Sequence, residues 1–89
     1  QEASIELFQN VPNPIKGQTT IMFTMPEAAT ATLSVHDVTG KVVAVRNISA
    51  MRGQNSEVFT KDQLGVSGVL YYTLKSGDFT ATKKMIIVE

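Results

Sequence analysis

Cysteine and tryptophan are both missing from these 89 residues. Without cysteine there is no disulfide framework and no thiolate metal centre. The compartment is left open, since a cystine-free domain folds inside or outside the cell. Excess charge is missing too: eight basic residues balance eight acidic ones, and the formal net charge is zero. Nucleic-acid binders draw their affinity from Lys and Arg that neutralise phosphates, so the balance argues against nucleic acid as a partner. It argues equally against a polybasic membrane-surface segment. No apolar run approaches the roughly 18 residues of a membrane span, so no direct membrane span is expected. Gln1-Glu2-Ala3-Ser4 contains no basic segment leading into an apolar stretch, so no signal peptide is expected. The chain reads as a cytosolic protein or as a fragment cut from a longer one.

What is present is a folded composition, 43% hydrophobic and 18% charged, which separates the chain from disordered tails. Residues 1–89 fit a single domain. A domain of this size buries only about 60–65% of its unfolded surface, so its core has to come from efficiently alternating strands. Period-2 alternation does dominate, and no 3.6-residue period is sustained. Ile5, Leu7 and Phe8 form a short first strand, ended by Pro12-Asn13-Pro14. Ile21, Phe23 and Met25 alternate with Thr20, Met22 and Thr24 between Gly17 and Pro26. Ala31, Leu33 and Val35 alternate with Thr32, Ser34 and His36. A fourth strand covers residues 42–48 and a fifth about 55–59, joined by a turn at Met51-Arg52-Gly53-Gln54.

Thr60-Lys61-Asp62-Gln63-Leu64 is too short for an independent helix and predicts one turn that tucks Leu64 into the core. Gly68 opens a sixth strand with Leu70, Tyr72 and Leu74 on one face, and Ser76-Gly77-Asp78 signals a hairpin into a last strand from Phe79 to about Val88. About seven short strands at 8–12-residue spacing predict an all-β, Ig-like antiparallel β-sandwich. The Cys–Trp–Cys core of antibody domains is absent.

Catalysis needs convergent groups with matched proton affinity, and the inventory for it is thin. His36 is the sole histidine. Adjacent strand residues point to opposite faces, so Ser34, His36 and Asp37 do not converge into a triad. Asp37 and Asp62 stand in separate loops, which is not the clustered spacing of a metal site. No glycine cluster cradles phosphate ahead of a helix. The sequence therefore predicts no enzyme, no metal and no cofactor. Flat sugar faces are usually met by exposed aromatic rings. Phe8, Phe23, Phe59 and Phe79 are expected in the core, and one of Tyr71 and Tyr72 is expected to face out.

Several motifs have a conformational reading first. Pro12 and Pro14 hold the backbone extended and remove two donors, which suits an exit from an edge strand toward the other sheet. Asp37-Val38-Thr39-Gly40 is a turn, because aspartate bonds the backbone two residues on and glycine accepts positive φ. Gly68 and Gly77 need only be conformational. Met85-Ile86-Ile87-Val88 is different, being apolar on both strand faces. One reading is a strand covered on both sides, after a parity-shifting bulge at Lys83-Lys84. The other is an apolar face, flanked by those lysines, that a partner reads by strand addition.

Taken together, Leu7-Phe8-Gln9-Asn10-Val11-Pro12-Asn13-Pro14, Thr19-Thr20-Ile21-Met22-Phe23, and Leu33-Ser34-Val35-His36-Asp37-Val38-Thr39-Gly40-Lys41-Val42-Val43 form an ordered series. Ser67-Gly68-Val69-Leu70-Tyr71-Tyr72-Thr73-Leu74, Gly77-Asp78-Phe79 and Thr82-Lys83-Lys84-Met85-Ile86-Ile87-Val88 continue it. In order and spacing the series resembles the type A C-terminal sorting domain of type IX secretion system cargo proteins of Bacteroidetes-type bacteria. The family usually carries an aromatic where Ile15 and His36 stand, and a tyrosine where Leu70 stands.

The resemblance implies a secretion address on a larger cargo protein, with Lys83, Lys84, Met85, Ile86, Ile87 and Val88 carrying the signal. It implies passage through the periplasm, then the outer membrane, to the cell surface or the medium. Its partners would be the type IX translocon and outer-membrane shuttle components. A sortase-like cysteine peptidase would cleave near or before Gln1 and attach the cargo to the cell surface. The alternative is a non-catalytic Ig-like binding or spacer module, either carbohydrate-binding or similar to the add-on domains of flagellar hook-cap proteins.

Overall fold

The computed structural model describes residues 4–65 and 67–88; the expected cleavage position near Gln1 lies outside them. The strands are β1 (Glu6–Leu7), β2 (Gln18–Met25), β3 (Ala29–His36), β4 (Val42–Ala50), β5 (Gly53–Thr60), β6 (Gly68–Ser76) and β7 (Phe79–Ile87), with one helical turn, α1 (Lys61–Leu64), between β5 and β6. They form a three-stranded sheet in the order β1-β2-β5 and a four-stranded sheet in the order β4-β3-β6-β7. All strand pairs are antiparallel. The expected all-β sandwich of seven strands is therefore the observed architecture.

Alternation decides which side chains meet between the sheets. Ile21, Phe23 and Met25 of β2, Ala31, Leu33 and Val35 of β3, and Leu70, Tyr72 and Leu74 of β6 are buried, while their polar neighbours stand outward. Phe59, Met85, Ile87 and Ile15 complete the interior. Leu64 is buried at the end of α1 as expected. The turn is held by a reciprocal cap: Gln63 N–H donates to Thr60 Oγ1 at 3.2 Å, and Thr60 N–H to Gln63 Oε1 at 2.9 Å. Phe23 and Phe59 are core residues as expected, but Phe8 and Phe79 are only half-buried. Phe79 opens β7 and packs against the core from its end, whereas Phe8 follows the inward-facing Leu7 and lies opposite the outward-facing Met22.

Strand bounds differ modestly from the sequence reading: β4 runs on to Ala50 and β5 begins at Gly53. The register irregularity lies between β3 and β4, where Val35 faces Ala44 and His36 faces Val42, leaving Val43 as the extra residue. No such shift occurs at Lys83-Lys84; the β6–β7 register is unbroken from Ser76–Phe79 to Gly68–Ile87.

The Asp37–Gly40 turn leads into β4. Asp37 Oδ1 accepts from Thr39 N–H, Thr39 Oγ1 and Lys41 N–H at 2.9, 2.6 and 2.9 Å, and Gly40 has φ +94°. The Thr39 hydroxyl above all, with the Lys41 and Thr39 amides, holds the Asp37 carboxyl below its ordinary range, against the opposing effect of desolvation. On the margin between β4 and β5 the gap between the sheets is closed by charge. Arg46 Nη1 donates to Glu57 Oε1 at 2.9 Å, and its guanidinium carbon lies 3.9 Å from the centre of the Phe59 ring.

Candidate recognition site on the terminal strand

β7 follows β6 through the Gly77-Asp78 turn, in which Gly77 has φ +59°. The long hairpin places Lys83 through Ile87 at the outer margin of the four-stranded sheet. The two-faced apolar run resolves into plain alternation. Met85 and Ile87 point into the core and are 0% and 2% exposed, whereas Ile86 is half-buried on the outer face with Val69 as its cross-strand neighbour. Val88, just past the strand, is half-buried as well. Lys83 and Lys84 point to opposite faces: Lys83 lies opposite Tyr72 at the rim of the interior, and Lys84 lies exposed opposite Tyr71. The outer face thus presents Lys84, Ile86, Val69 and Tyr71 side by side.

Tyr71 continues that row to His36, whose ring stacks on it at 5.9 Å with 22° between planes. His36 supplies an aromatic ring at a position where the resembled family usually has one. Of the two tyrosines, Tyr71 is the one that faces out, while Tyr72 is fully buried.

The outer edge of β7 is occupied along its final third. The chain leaves β1, bonds β2 at Val11 opposite Thr20, and crosses to the other sheet. Both the Val11-Pro12 and Asn13-Pro14 peptide bonds in this crossing are cis. Ile15 then pairs in parallel with Ile87: Ile15 N–H donates to Ile86 O at 2.7 Å, and Val88 N–H to Ile15 O at 3.0 Å. Asn13 Oδ1 accepts from Ile86 N–H at 2.9 Å, and Gln9 Nε2 donates to Lys84 O at 2.6 Å. Residues 9–15 are therefore a strap along the terminal strand. The crossing expected of Pro12 and Pro14 is observed, and Asn13 adds a direct bond to β7.

A buried polar network anchors the strap. Tyr72 Oη donates to Phe8 O at 2.7 Å and accepts from Asn10 N–H at 2.8 Å. Asn10 Nδ2 donates to Thr19 Oγ1 at 3.0 Å and to Pro12 O at 3.2 Å, and Thr19 Oγ1 donates to Pro12 O at 3.0 Å. Asn10 and Thr19 are 1% and 0% exposed. Among the described residues no buried side-chain N or O atom lacks a hydrogen bond. Burial pushes the Tyr72 phenol up to about 12, against the opposing pull of the Asn10 amide.

The structure thus gathers Pro12, Asn13, Pro14 and the Lys84–Val88 segment at one margin, with Gly68 opposite Ile87. Asp37 and Gly40 belong to the β3–β4 turn, and Gly77 to the far end of the β6–β7 hairpin. The sequence reading missed Gln9, Asn10, Ile15, Thr19 and Tyr72 as members of this assembly. Asn10 was the available signal, as an amide just past a strand and directly before Val11-Pro12. A recess of about 390 Å³ lined by Ile5, Met25, Pro26, Glu27 and Thr30 lies at the hairpin end. Its single carboxylate gives no convergent acid–base pair. Among the described residues no cluster of three or more His, Cys, Asp or Glu could hold a metal ion. No helix among them is long and apolar enough to cross a membrane.

Residues 11–88 match the family model of the secretion system C-terminal sorting domain. The matched stretch runs from the strap to the end of β7. No curated protein matches the chain.

Proposed function

The chain belongs to the family of secretion system C-terminal sorting domains, and on that premise we propose that it is the address by which a cargo protein is passed through the outer membrane, read at its terminal strand. The family is one of type IX export signals, so the domain works with that machinery and its destination is the cell surface or the medium. The proposal adds a route and a processing step. The cargo crosses the periplasm, the translocon and its outer-membrane shuttle components receive this domain, and a sortase-like cysteine peptidase cleaves ahead of it and attaches the cargo to the surface. The domain is a substrate in that step and contributes no catalytic group.

The match over residues 11–88 carries this reading. The signal is assigned to Lys83, Lys84, Met85, Ile86, Ile87 and Val88. In support of it, Lys84 and Ile86 stand on an outer face that no other part of the described chain covers. Met85 and Ile87 serve by fixing the strand in the core. The test is a reporter bearing a signal peptide, fused upstream of this chain in a host with type IX secretion. Removing residues 82–89 is expected to hold the reporter inside the cell. A truncated fusion that still reaches the surface overturns the assignment to the terminal strand.

A further inference from the structure

Strand addition needs a free edge, and the bonds along β7 identify which edge is free. In an antiparallel ladder each residue sends its N–H and C=O to the same side, and successive residues alternate sides. The strap bonds Lys84 O, Ile86 N–H and O, and Val88 N–H, so these residues face away from β6. Leu70, Tyr72 and Leu74 then face β7, and Tyr71, Thr73 and Lys75 face β3. By the same rule Thr32, Ser34 and His36 face β6, and Ala31, Leu33 and Val35 face β4. Across the last pair, Ala44, Arg46 and Ile48 face β3, which leaves the backbone groups of Val45, Asn47 and Ser49 pointing out of the sheet.

The four sheet margins are unequal. β1 is two residues long. β5 carries Glu57 and runs directly into α1. β7 is closed by the strap over the stretch assigned to the signal, and it carries Lys83 and Lys84. β4 is nine residues long and pairs with β3 alone among the described residues. Its single charged residue, Arg46, points inward to Glu57. Exposed apolar side chains gather along it: Val42 and Val45 on the strand are 54% and 53% exposed, and Val38 and Met51 in its flanking turns are 69% and 67% exposed. Natural edges are usually blunted by lysine, proline or brevity. Here only the Val43 bulge, at one end, serves that purpose.

We propose that β4 is the edge at which a component of the export machinery adds a strand. The occupant is an extended segment of a partner protein, uncharged and apolar at alternate positions. An extended backbone can pair with the whole row of N–H and C=O groups on Val45, Asn47 and Ser49, and a charge-free row of side chains favours a partner strand without charge. Alternate partner side chains lie beside Val45 on the outer face. The inference rests on the export reading and gives it a second contact, separate from the strapped β7 margin.

The test uses the same reporter fusion carrying Val45→Pro, Val45→Lys or Val58→Lys. Val45→Pro removes an edge N–H that β3 does not use, Val45→Lys places a charge on the edge, and Val58→Lys places one on the other sheet. Both Val45 variants are expected to lower surface reporter by about tenfold or more, with thermal melts of the isolated domain near wild type and Val58→Lys exported normally. If the proline variant fails to fold, Val45→Lys decides. Wild-type export with undiminished export of a folded Val45 variant overturns the edge alone. A wild-type fusion that stays inside overturns the export reading and this contact with it.

Discussion

Replacing Tyr72 by phenylalanine tests the anchor of the strap with almost no change in shape. The ring keeps its place in the core, where the residue is 0% exposed, and only the phenol oxygen is lost. Its removal leaves the Phe8 carbonyl and the Asn10 amide, now bonded at 2.7 and 2.8 Å, without a partner. An orphaned buried group costs about 1–3 kcal/mol. The carbonyl, which has a second lone pair and stands at the rim, falls at the low end, and the two together come to about 2–4 kcal/mol. For a domain of this length each kcal/mol lowers the melting temperature by about 4–8 °C, so Tyr72→Phe is expected to melt about 8–32 °C below wild type. Circular dichroism melts and urea titrations measure this, with the urea slope unchanged. Amide exchange at Ile15, Ile86 and Val88 should accelerate more than exchange at Leu33, because the strap loses its anchor first. A drop of less than about 4 °C would show that the hydroxyl does not tie the strap down.

The same residue sets an alkaline limit. Its folded pKa of about 12 lies above its ordinary value of 10.0. The contribution is complete below pH 10 and is lost as pH rises through 12, so pH-dependent urea titrations should show a component of that loss missing in Tyr72→Phe. Asp37 works in the opposite sense: its folded pKa is lowered from 3.8, so its contribution is present above that value and lost on acidification below it, a component that Asp37→Ala should lack. Val35 is 0% exposed at the centre of β3, and Val35→Asp should abolish the cooperative melt by burying an unpaired carboxylate; an unchanged melt would put Val35 in water. Lys84 is exposed and no ion pair joins it to another described residue, so Lys84→Ala should shift stability by about 0.5 kcal/mol or less.

The parts of this fold that were legible in the sequence are those where one face is apolar and the other polar. Ala31, Leu33 and Val35 against Thr32, Ser34 and His36 left a single register that buries the right set. Asp37 and Gly40 were legible because their roles are local. Met85-Ile86-Ile87-Val88 was not, since alternation cannot orient a run that is apolar on both faces. The strap was illegible for a different reason. Its bonds join residues more than 70 positions apart through backbone groups and side-chain amides, which leave no periodic trace. The Arg46–Glu57 pair sits at two inward positions of alternating strands, where patterning alone calls for apolar residues. Only the opposition of two sheet margins makes charge suitable there.

The most direct measurement is surface delivery of the reporter fusion carrying Lys84→Ala together with Ile86→Thr. These changes strip the outward side chains of β7 while keeping Met85 and Ile87 in the core. Delivery should fall sharply although the isolated domain still melts close to wild type. Wild-type delivery from that folded variant would mean that the outer face of the terminal strand is not where the address is read.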